Sequence, residues 1–270
     1  VEDLNFSQRN FDVFSKAYNR PYGLVLVTGP TGSGKSTTLY ATLGDVAKPE
    51  INIITVEDPV EFRMRGINQV QVNNKAGMTF AAALRSILRA DPDVVLIGEI
   101  RDQETANIAI EASLTGHLVL STLHTNDAPS AVTRLTEMGV EPFLLSSSLA
   151  AVMAQRLARR LCKKCKRQDT ATEAELRTLG VPHMPDTPLP TIWRPVGCRE
   201  CANTGYSGRV AIQQVMGVDS TMEDLIARGA TSIDIDKAAK EQGMTTLRKD
   251  GWQKALQGIT SVEEVLRVTV

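Results

Sequence analysis

The chain is poor in several features that assign a sequence to a class at first sight. Its 30 basic and 31 acidic side chains leave a net charge of −1, which argues against a nucleic-acid-binding protein. No apolar run approaches the roughly 18 residues that a membrane-spanning helix requires. No signal peptide is visible, and the chain begins with Val1 rather than Met. We therefore expect a fragment of a cytosolic protein whose upstream portion is missing.

Aromatic residues are also scarce, at 4%, and cysteines number only four. Apolar residues nevertheless make up 42% of the 270 residues. That share is ordinary for a globular protein, and the length is sufficient to bury a full core. The composition thus indicates one large domain or two smaller ones.

The most informative segment is a glycine-rich octapeptide followed by a helical pattern. It consists of Gly29, Pro30, Thr31, Gly32, Ser33, Gly34, Lys35 and Ser36, with Thr37 next, and it fits the phosphate-loop pattern G-x-x-x-x-G-K-[ST]. Residues 24–27 before it predict a buried strand, and residues 37–43 after it predict a helix. This order directs backbone N–H groups at an anion, while Lys35 can reach phosphates and Ser36 can take a Mg²⁺ position. The segment predicts nucleoside triphosphate binding.

Apolar runs and helical patterns alternate along the first 161 residues. Predicted strands cover residues 51–56, 94–97 and 117–122, and predicted helices cover residues 7–18, 80–88 and 104–114. This alternation is typical of an α/β fold with a mainly parallel sheet and helices on both faces. Such sheets bind ligands at the carboxyl ends of their strands, where the phosphate loop also lies.

The character of the chain changes after residue 161. Two Cys-x-x-Cys pairs bound residues 162–201, and five prolines between them make a core segment there improbable. Helical patterns then cover residues 222–228, 233–242, 247–256 and 262–268. We expect a nucleotide-binding core over residues 1–161, a tetracysteine metal-binding subdomain over 162–201 and a small, mostly helical subdomain over 202–270.

Two acidic segments each follow a predicted strand. In the first, we expect Glu99 to serve Mg²⁺ beside the phosphate loop, through water. In the second, Glu57, Asp58 and Glu61 would repel a triphosphate unless Mg²⁺ or basic groups were involved. Glu61 is our first choice as the base for the attacking water. The alternatives are an ordinary exposed glutamate at residue 99 and a solvated acidic turn at residues 57–61.

Only three histidines occur, and two of them, His117 and His124, stand at the two ends of a predicted strand. The period of two along a strand sends side chains seven positions apart to opposite faces. One histidine is therefore expected to face the nucleotide, and the other to be structural.

Four segments in order resemble a known family. They are residues 29–36, 55–61, 91–102 and 116–126. They are similar to the Walker A, Asp box, Walker B and His box of the secretion-superfamily ATPases, which serve type II secretion and type IV pilus assembly. The resemblance runs from about Leu4 to the end of the chain, and the family's Walker B also ends in Gly-Glu, as at residues 98–99 here.

The resemblance implies a RecA-like P-loop core and further site residues. The family's catalytic glutamate falls on Glu61, its Walker B glutamate on Glu99, and its box histidines on His117 and His124. Its arginines at subunit or nucleotide contacts match Arg85, Arg89, Arg101 and Arg134. Its Gly-Tyr-x-Gly-Arg motif matches residues 205–209, which implies that Arg209 lies near the nucleotide.

The four cysteines have the pair spacing of a tetracysteine zinc site, although the gap between the pairs is longer than in compact fingers. They are Cys162, Cys165, Cys198 and Cys201. Disulfides or free thiols are the alternative. A tetracysteine subdomain resembles the secretion and pilus-extension branch of the family, whereas retraction and conjugation ATPases typically lack it.

Basic residues cluster around the first cysteine pair. They are Arg156, Arg159, Arg160, Lys163, Lys164, Lys166 and Arg167. A four-thiolate zinc centre is dianionic, so these cations would balance its charge. The alternative is a surface for anionic lipid or a membrane protein.

The resemblance implies a motor that hydrolyses ATP to assemble a pilus or a secretion pseudopilus, with ATP, Mg²⁺ and Zn²⁺ as cofactors. It also implies a homo-hexamer in the full-length protein, a platform protein in the inner membrane as partner, and peripheral association with the cytoplasmic face of that membrane. No nucleic acid is expected. Two other functions stay open: a nucleic-acid motor on the same core, and a nucleotide switch that does not hydrolyse.

Overall fold

A computed structural model describes residue 1 and residues 4–269. The helices are α1 (Gln8–Tyr18), α2 (Lys35–Val46), α3 (Phe80–Ile87), α4 (Gln103–Leu114), α5 (Pro129–Glu137), α6 (Pro142–Ser148), α7 (Glu173–Leu179), α8 (Ser220–Ala227), α9 (Ser232–Glu241), α10 (Leu247–Leu256) and α11 (Val262–Val268). The strands are β1 (Gly23–Thr28), β2 (Ile53–Glu57), β3 (Asn68–Gln71), β4 (Val94–Ile97), β5 (Leu118–Leu123), β6 (Leu149–Leu161), β7 (Arg167–Thr170), β8 (Thr191–Arg194) and β9 (Tyr206–Gly217). Within these described residues, no helix is both long enough and apolar enough to cross a membrane.

Seven strands form the main sheet, in the order β3-β2-β4-β5-β1-β6-β9. Neighbouring strands from β3 to β6 in this order run parallel, and β9 pairs antiparallel with β6. Strands β7 and β8 form a separate two-stranded antiparallel sheet. The predicted α/β fold with a mainly parallel sheet is therefore confirmed.

The central strands are apolar because both faces of the sheet are covered. In β1, Leu24 and Leu26 belong to one core cluster, while Val25 and Val27 belong to the cluster on the opposite face. This alternation follows from the two-residue period of a strand. Helices α3 to α6, α8 and α9 contribute buried side chains to the first cluster, and α1 and α2 contribute to the second.

Strands β6 and β9 extend the sheet beyond the predicted core. Ala151 lies opposite Gly217 at one end of this pair of strands, and Leu161 lies opposite Tyr206 at the other. Their outer halves form a third cluster with α7, α10, α11 and β8, in which Ile212 and Trp252 are buried. The segment expected to be mostly helical thus begins with a strand of the main sheet. The division at residues 161 and 201 stays a prediction.

Side chains from two helices satisfy the outer edge of β9. Asn10 of α1 donates its side-chain N–H to the carbonyl of Gln213 at 3.1 Å. Asp250 of α10 accepts the Gln213 N–H at 2.9 Å, and Lys254 donates to the Ala211 carbonyl at 2.8 Å. An edge strand with free N–H and C=O groups would be open to pairing with another chain. These contacts also fix α1 and α10 against the sheet.

Candidate active site

The register of the parallel strands brings the predicted functional segments to one edge of the sheet. Thr28 at the end of β1 lies opposite Leu123 at the end of β5, and Ile97 at the end of β4 lies opposite Val56 of β2. The phosphate loop, Glu99, His124 and the acidic segment each follow one of these strand ends. This is the edge at which open parallel sheets bind their ligands.

The phosphate loop joins β1 to α2, and its three glycines, Gly29, Gly32 and Gly34, have positive φ angles that other residues rarely adopt. Gly29 has φ of +147°, and an added Cβ would lie 2.5 Å from the Gln155 carbonyl oxygen. Gly34 has φ of +86° and is the N-cap of α2. The first N–H groups of a helix have no intrahelical partners and can bind an anion. The local sequence therefore builds an anion site at the start of α2.

Lys35 is the first residue of α2. Its ammonium group donates to the carbonyls of Gly29 at 2.9 Å and Pro30 at 3.0 Å, which holds it over the loop. Burial lowers the pKa of Lys35, while Glu99 acts to raise it and Arg156 to lower it. A cation in this position can neutralise phosphate oxygens bound by the loop.

Glu99 lies two residues after the end of β4 and lines the same cavity as the phosphate loop, with its side chain 15% exposed. It forms an ion pair with Arg101, and His124 Nε2 lies 3.4 Å from its Oε2. The hydrogen bond to Glu99 raises the pKa of Arg101. Gly98 has no room for a side chain larger than hydrogen without a shift, because an added Cβ would lie 3.3 Å from the Val56 carbonyl oxygen.

The acidic segment has one buried carboxylate, Glu57, and two exposed ones, Asp58 and Glu61. Glu57 is 4% exposed, and its oxygens accept hydrogen bonds from Tyr40, Thr55 and Gln69. Glu61 is exposed and lines the same cavity as Lys35 and Glu99. Because the Glu57 oxygens are already occupied by protein donors, Asp58 and Glu61 are the carboxylates of this segment that reach solvent, and both line the cavity.

These segments enclose a cavity of about 600 Å³. Many predicted site residues line it: Thr31, Gly32, Gly34, Lys35, Ser36, Thr37, Glu61, Glu99, Arg101, His124 and Arg209. The other three loop residues lie beside it, with Gly29 and Pro30 holding Lys35 and Ser33 only 3% exposed. The volume is in the range of small-molecule binding pockets.

The structure does not bring four of the predicted residues to this cavity. His117 lies just before β5, at the opposite end from His124, where its Nδ1 is 2.9 Å from the Ala112 carbonyl. Arg85 pairs with Glu104 on the surface. Arg89 is exposed next to α3, and Arg134 lies 3.5 Å from Glu137. Functional roles for these four side chains stay predictions.

The structure adds residues that sequence reasoning missed. Gln155 of β6 donates to the Ser33 carbonyl and accepts from Thr38, each at 2.8 Å, so it supports the loop from behind. Arg156 is 9% exposed and donates to the Asn126 carbonyl at 2.9 Å. The signal for both was weak, because β6 was not predicted as a strand and Arg156 was counted in the basic cluster.

The four cysteines converge, and their geometry fits a tetrahedral metal site. All four Sγ atoms lie within 4.8 Å of one another, with three pairs at 3.7–3.9 Å. A tetrahedron with Zn–S bonds of about 2.3 Å places its sulfur atoms about 3.8 Å apart. Burial acts to raise the pKa of the Cys201 thiol, but N–H donors from Cys198 and Gly205 outweigh it and lower that pKa to about 6. Burial and the neighbouring thiols raise the pKa of Cys165 to about 11, so the thiolate form that binds metal is favoured at Cys201 and not at Cys165.

The basic cluster is not one surface. Arg156 is buried behind the phosphate loop, Arg159 pairs with Glu264, and Arg160 donates to the Asn5 side chain at 3.0 Å. Lys164 pairs with Glu200. Lys166 donates to the Gly258 carbonyl and lies 4.5 Å from the Trp193 ring centre. The structure thus distributes these five of the seven cations among separate partners.

Comparison with known proteins agrees with this geometry. Residues 1–267 match the family of type II/IV secretion system proteins. The chain belongs to this family. It is 51% identical to the type II secretion system protein E of Aeromonas hydrophila and 50% identical to the type IV pilus assembly ATPase PilB of Thermus thermophilus, both over the whole chain. It spans 53% and 30% of these relatives, so it covers about half their length or less.

Solved structures agree with the fold. The pilus retraction motor PilT with bound ADP superimposes with a TM-score of 0.72 at 27% identity, over 98% of this chain and 65% of that one. The ATPase DotB of Legionella pneumophila superimposes with a TM-score of 0.69 over 98% of this chain and 63% of that one. At 23% identity, the likeness to DotB supports the fold alone. The predicted membership of the secretion-superfamily ATPases is confirmed.

Proposed function

We propose that this chain is the ATP-hydrolysing part of a motor that assembles a type IV pilus or a type II secretion pseudopilus. One observation carries the proposal: the phosphate loop and the two carboxylates Glu61 and Glu99 line one cavity. A nucleotide switch that does not hydrolyse ATP would need the phosphate loop but not the two carboxylates. The identity of about half the residues to a secretion protein E and to a pilus assembly ATPase supports the choice of machine.

The chemistry depends on position and charge, since phosphoryl transfer asks for little else from a protein. Lys35 and the N–H groups at the start of α2 bind the phosphates of ATP. Ser36 and Glu99 offer oxygen ligands for Mg²⁺. When bound, Mg²⁺ would neutralise part of the negative charge of the phosphates. Glu61 orients or deprotonates the attacking water, and Arg101 and Arg209 neutralise the charge that develops.

The four cysteines are proposed to hold one structural zinc ion. They tie the turn after β6 to the turn before β9, and both strands belong to the main sheet. The test is metal analysis of the purified protein, in which we expect about one zinc per chain, as a four-thiolate site requires. A metal-free protein with unchanged thermal stability would overturn this assignment.

The proposed assembly is a hexamer whose subunits contact one another around the nucleotide cavities. Arg85, Arg89 and Arg134 are exposed and lie outside the cavity, so they are available for contacts with a neighbouring subunit. The proposed partner is a platform protein of the inner membrane, contacted from the cytoplasmic face. No nucleic acid takes part, in keeping with the net charge of −1.

A cell-based exchange tests the proposed machine. In a strain that depends on the full-length protein, the variant Lys35→Ala should abolish surface pili or secretion of the exported substrate. The control variant Lys237→Ala changes a lysine on the exposed side of α9 and should leave assembly intact. Normal assembly with Lys35→Ala would contradict the proposal.

A further inference from the structure

We propose that Tyr40 is a positioning residue that fixes the Glu61 loop to the helix of the phosphate loop. The inference deepens the proposed function and rests on it, because it assigns a role in hydrolysis at the same cavity. The Glu61 loop is defined as residues 58–64, which connect β2 to the segment before β3.

The Tyr40 hydroxyl joins three elements. Tyr40 lies on α2, five positions after Lys35, and is 4% exposed. Its hydroxyl donates to Glu57 Oε2 and accepts from the backbone N–H of Glu61 at 3.2 Å. A phenolic hydroxyl has one proton to donate, and here that proton is committed to the carboxylate. Both hydrogen-bonding functions of Tyr40 are therefore used to connect α2, β2 and the loop.

The Tyr40 ring holds the next residue of the loop. The rings of Tyr40 and Phe62 meet edge to face, with centroids 4.4 Å apart and an interplanar angle of 70°. Such pairs stabilise a contact beyond the area they bury. Phe62 is 56% exposed, and this contact packs part of its ring against α2. Hydroxyl and ring together restrain two consecutive residues, Glu61 and Phe62.

Glu57 and Gln69 complete the support from the other side. Glu57 Oε1 accepts from Thr55 Oγ1 and, at 3.2 Å, from Gln69 Nε2. The Gln69 side chain also donates to the Phe62 carbonyl at 3.1 Å and accepts from the Met64 N–H at 2.7 Å. Backbone groups of the loop are thus bound to Tyr40 and Gln69, and both of these side chains donate to the buried carboxylate of Glu57. Burial and the bond to Glu57 raise the pKa of Tyr40 to about 12, which keeps its hydroxyl protonated.

The consequence is a fixed distance between the phosphate site and the proposed base. Helix α2 begins at the loop that binds the phosphates, and Tyr40 ties the backbone of Glu61 to that helix. Catalysis by an oriented water is sensitive to small displacements of the orienting group. Loss of the Tyr40 hydroxyl should therefore affect the chemical step more than nucleotide binding.

The variant Tyr40→Phe removes the hydroxyl and keeps the ring. In the assembled protein, kcat for ATP should fall about 10-fold or more, as expected when a catalytic group is displaced, with KM changed less than about twofold. In a Glu61→Gln background, Tyr40→Phe should reduce the residual rate no further, because residues that act through one another are not additive. An equal reduction in both backgrounds would overturn the proposal.

Tyr18→Phe is the matched control. Tyr18 is 3% exposed, and its hydroxyl donates to Asp45 Oδ2 at 3.0 Å. It therefore loses the same kind of hydrogen bond, from a buried tyrosine to a carboxylate, outside the nucleotide cavity. Its kcat should match that of the wild type. A similar loss of kcat in both tyrosine variants would indicate a general structural effect and overturn the role of Tyr40.

A measurement without turnover separates this inference from the proposed function. Hydrogen exchange of the Glu61 amide should become faster in Tyr40→Phe and also in Phe62→Ala. The Phe62 side chain is exposed, so its removal takes no side chain out of the buried core. Unchanged exchange in both variants would refute the tie even if ATP is hydrolysed. If the wild-type protein does not hydrolyse ATP but exchange of the Glu61 amide is faster in both variants, the proposed function is refuted and the role of Tyr40 in holding the loop is supported.

Discussion

The buried ion pair on α10 provides a quantitative test of how the sheet edge is held. Lys254 and Asp250 are joined at 2.6 Å, with side chains 5% and 1% exposed. The proposed change is Lys254→Met, which keeps most of the volume of the side chain. It removes the partner of a buried carboxylate and the donor to the Ala211 carbonyl.

The expected loss follows from what remains after the change. A buried charge that loses its partner destabilises a protein by roughly 3–5 kcal/mol. With a urea m-value of about 3 kcal/mol/M for a chain of this size, the unfolding midpoint should fall by about 1 M or more. The control is Lys240→Met on α9, which breaks an Asp–Lys pair of the same i,i+4 spacing with side chains 47% and 33% exposed. That pair should contribute less than about 0.5 kcal/mol.

The assay is urea unfolding followed by the fluorescence of the two tryptophans, one of which, Trp252, lies between Asp250 and Lys254 on α10. The pH dependence gives a second criterion. Burial raises the pKa of Asp250, and Lys254 acts to lower it. Removal of the Lys254 ammonium group therefore leaves the folded-state pKa of Asp250 further above its unfolded value. Protonation of Asp250 removes its unpaired buried charge, so the loss of stability in Lys254→Met relative to the wild type should become smaller as the pH falls. A loss no larger than in the control, or a deficit that grows at low pH, would refute the reasoning.

Two further predictions concern the stability effects of single substitutions. Glu264 is buried, which acts to raise its pKa, but hydrogen bonds from Arg267 and Arg159 lower it to about 2. The stabilisation from these ion pairs should be present at neutral pH and fade as the pH falls from about 4.5 toward 2, because the folded-state pKa lies below the unfolded one. The difference between wild type and Glu264→Gln in urea unfolding should narrow over that window; a constant difference would contradict it. Gly34→Ala should be less stable than Gly32→Ala in the same assay, because its Cβ would lie 2.8 Å from Gln155 Nε2 whereas Gly32 has open space. Equal stability would contradict the close contact.

The parts of the site that the sequence predicted are local in the chain. The phosphate loop combines a buried strand, glycines with positive φ and a helix within 24 residues, from Gly23 to Val46. Strands β2, β4 and β5 are short apolar runs of a parallel sheet covered on both faces, and their predicted bounds lie within two residues of the observed ones. Because each strand ends at the same edge, the positions of Glu99 and His124 followed from the fold class.

The missed parts depend on contacts between distant segments. Strand β6 is rich in alanine, leucine and arginine, which favour helices when taken alone. It is extended because β1 and β9 bind it on both sides, so tertiary pairing overrides local preference. Likewise, the burial of Glu57 against Tyr40, 17 residues away, has no periodic or spacing signal. The difference between Glu57 and Glu61 is therefore visible only in the folded chain.

Steady-state ATP hydrolysis by Glu99→Gln tests the central claim most directly. In the assembled protein, turnover should fall about 100-fold or more, as for the loss of a group that stabilises developing charge, while bound ATP is retained. Glu223→Gln, at an exposed position of α8, should hydrolyse ATP like the wild type. Near-normal turnover by Glu99→Gln would contradict the assignment of this cavity as the site of hydrolysis.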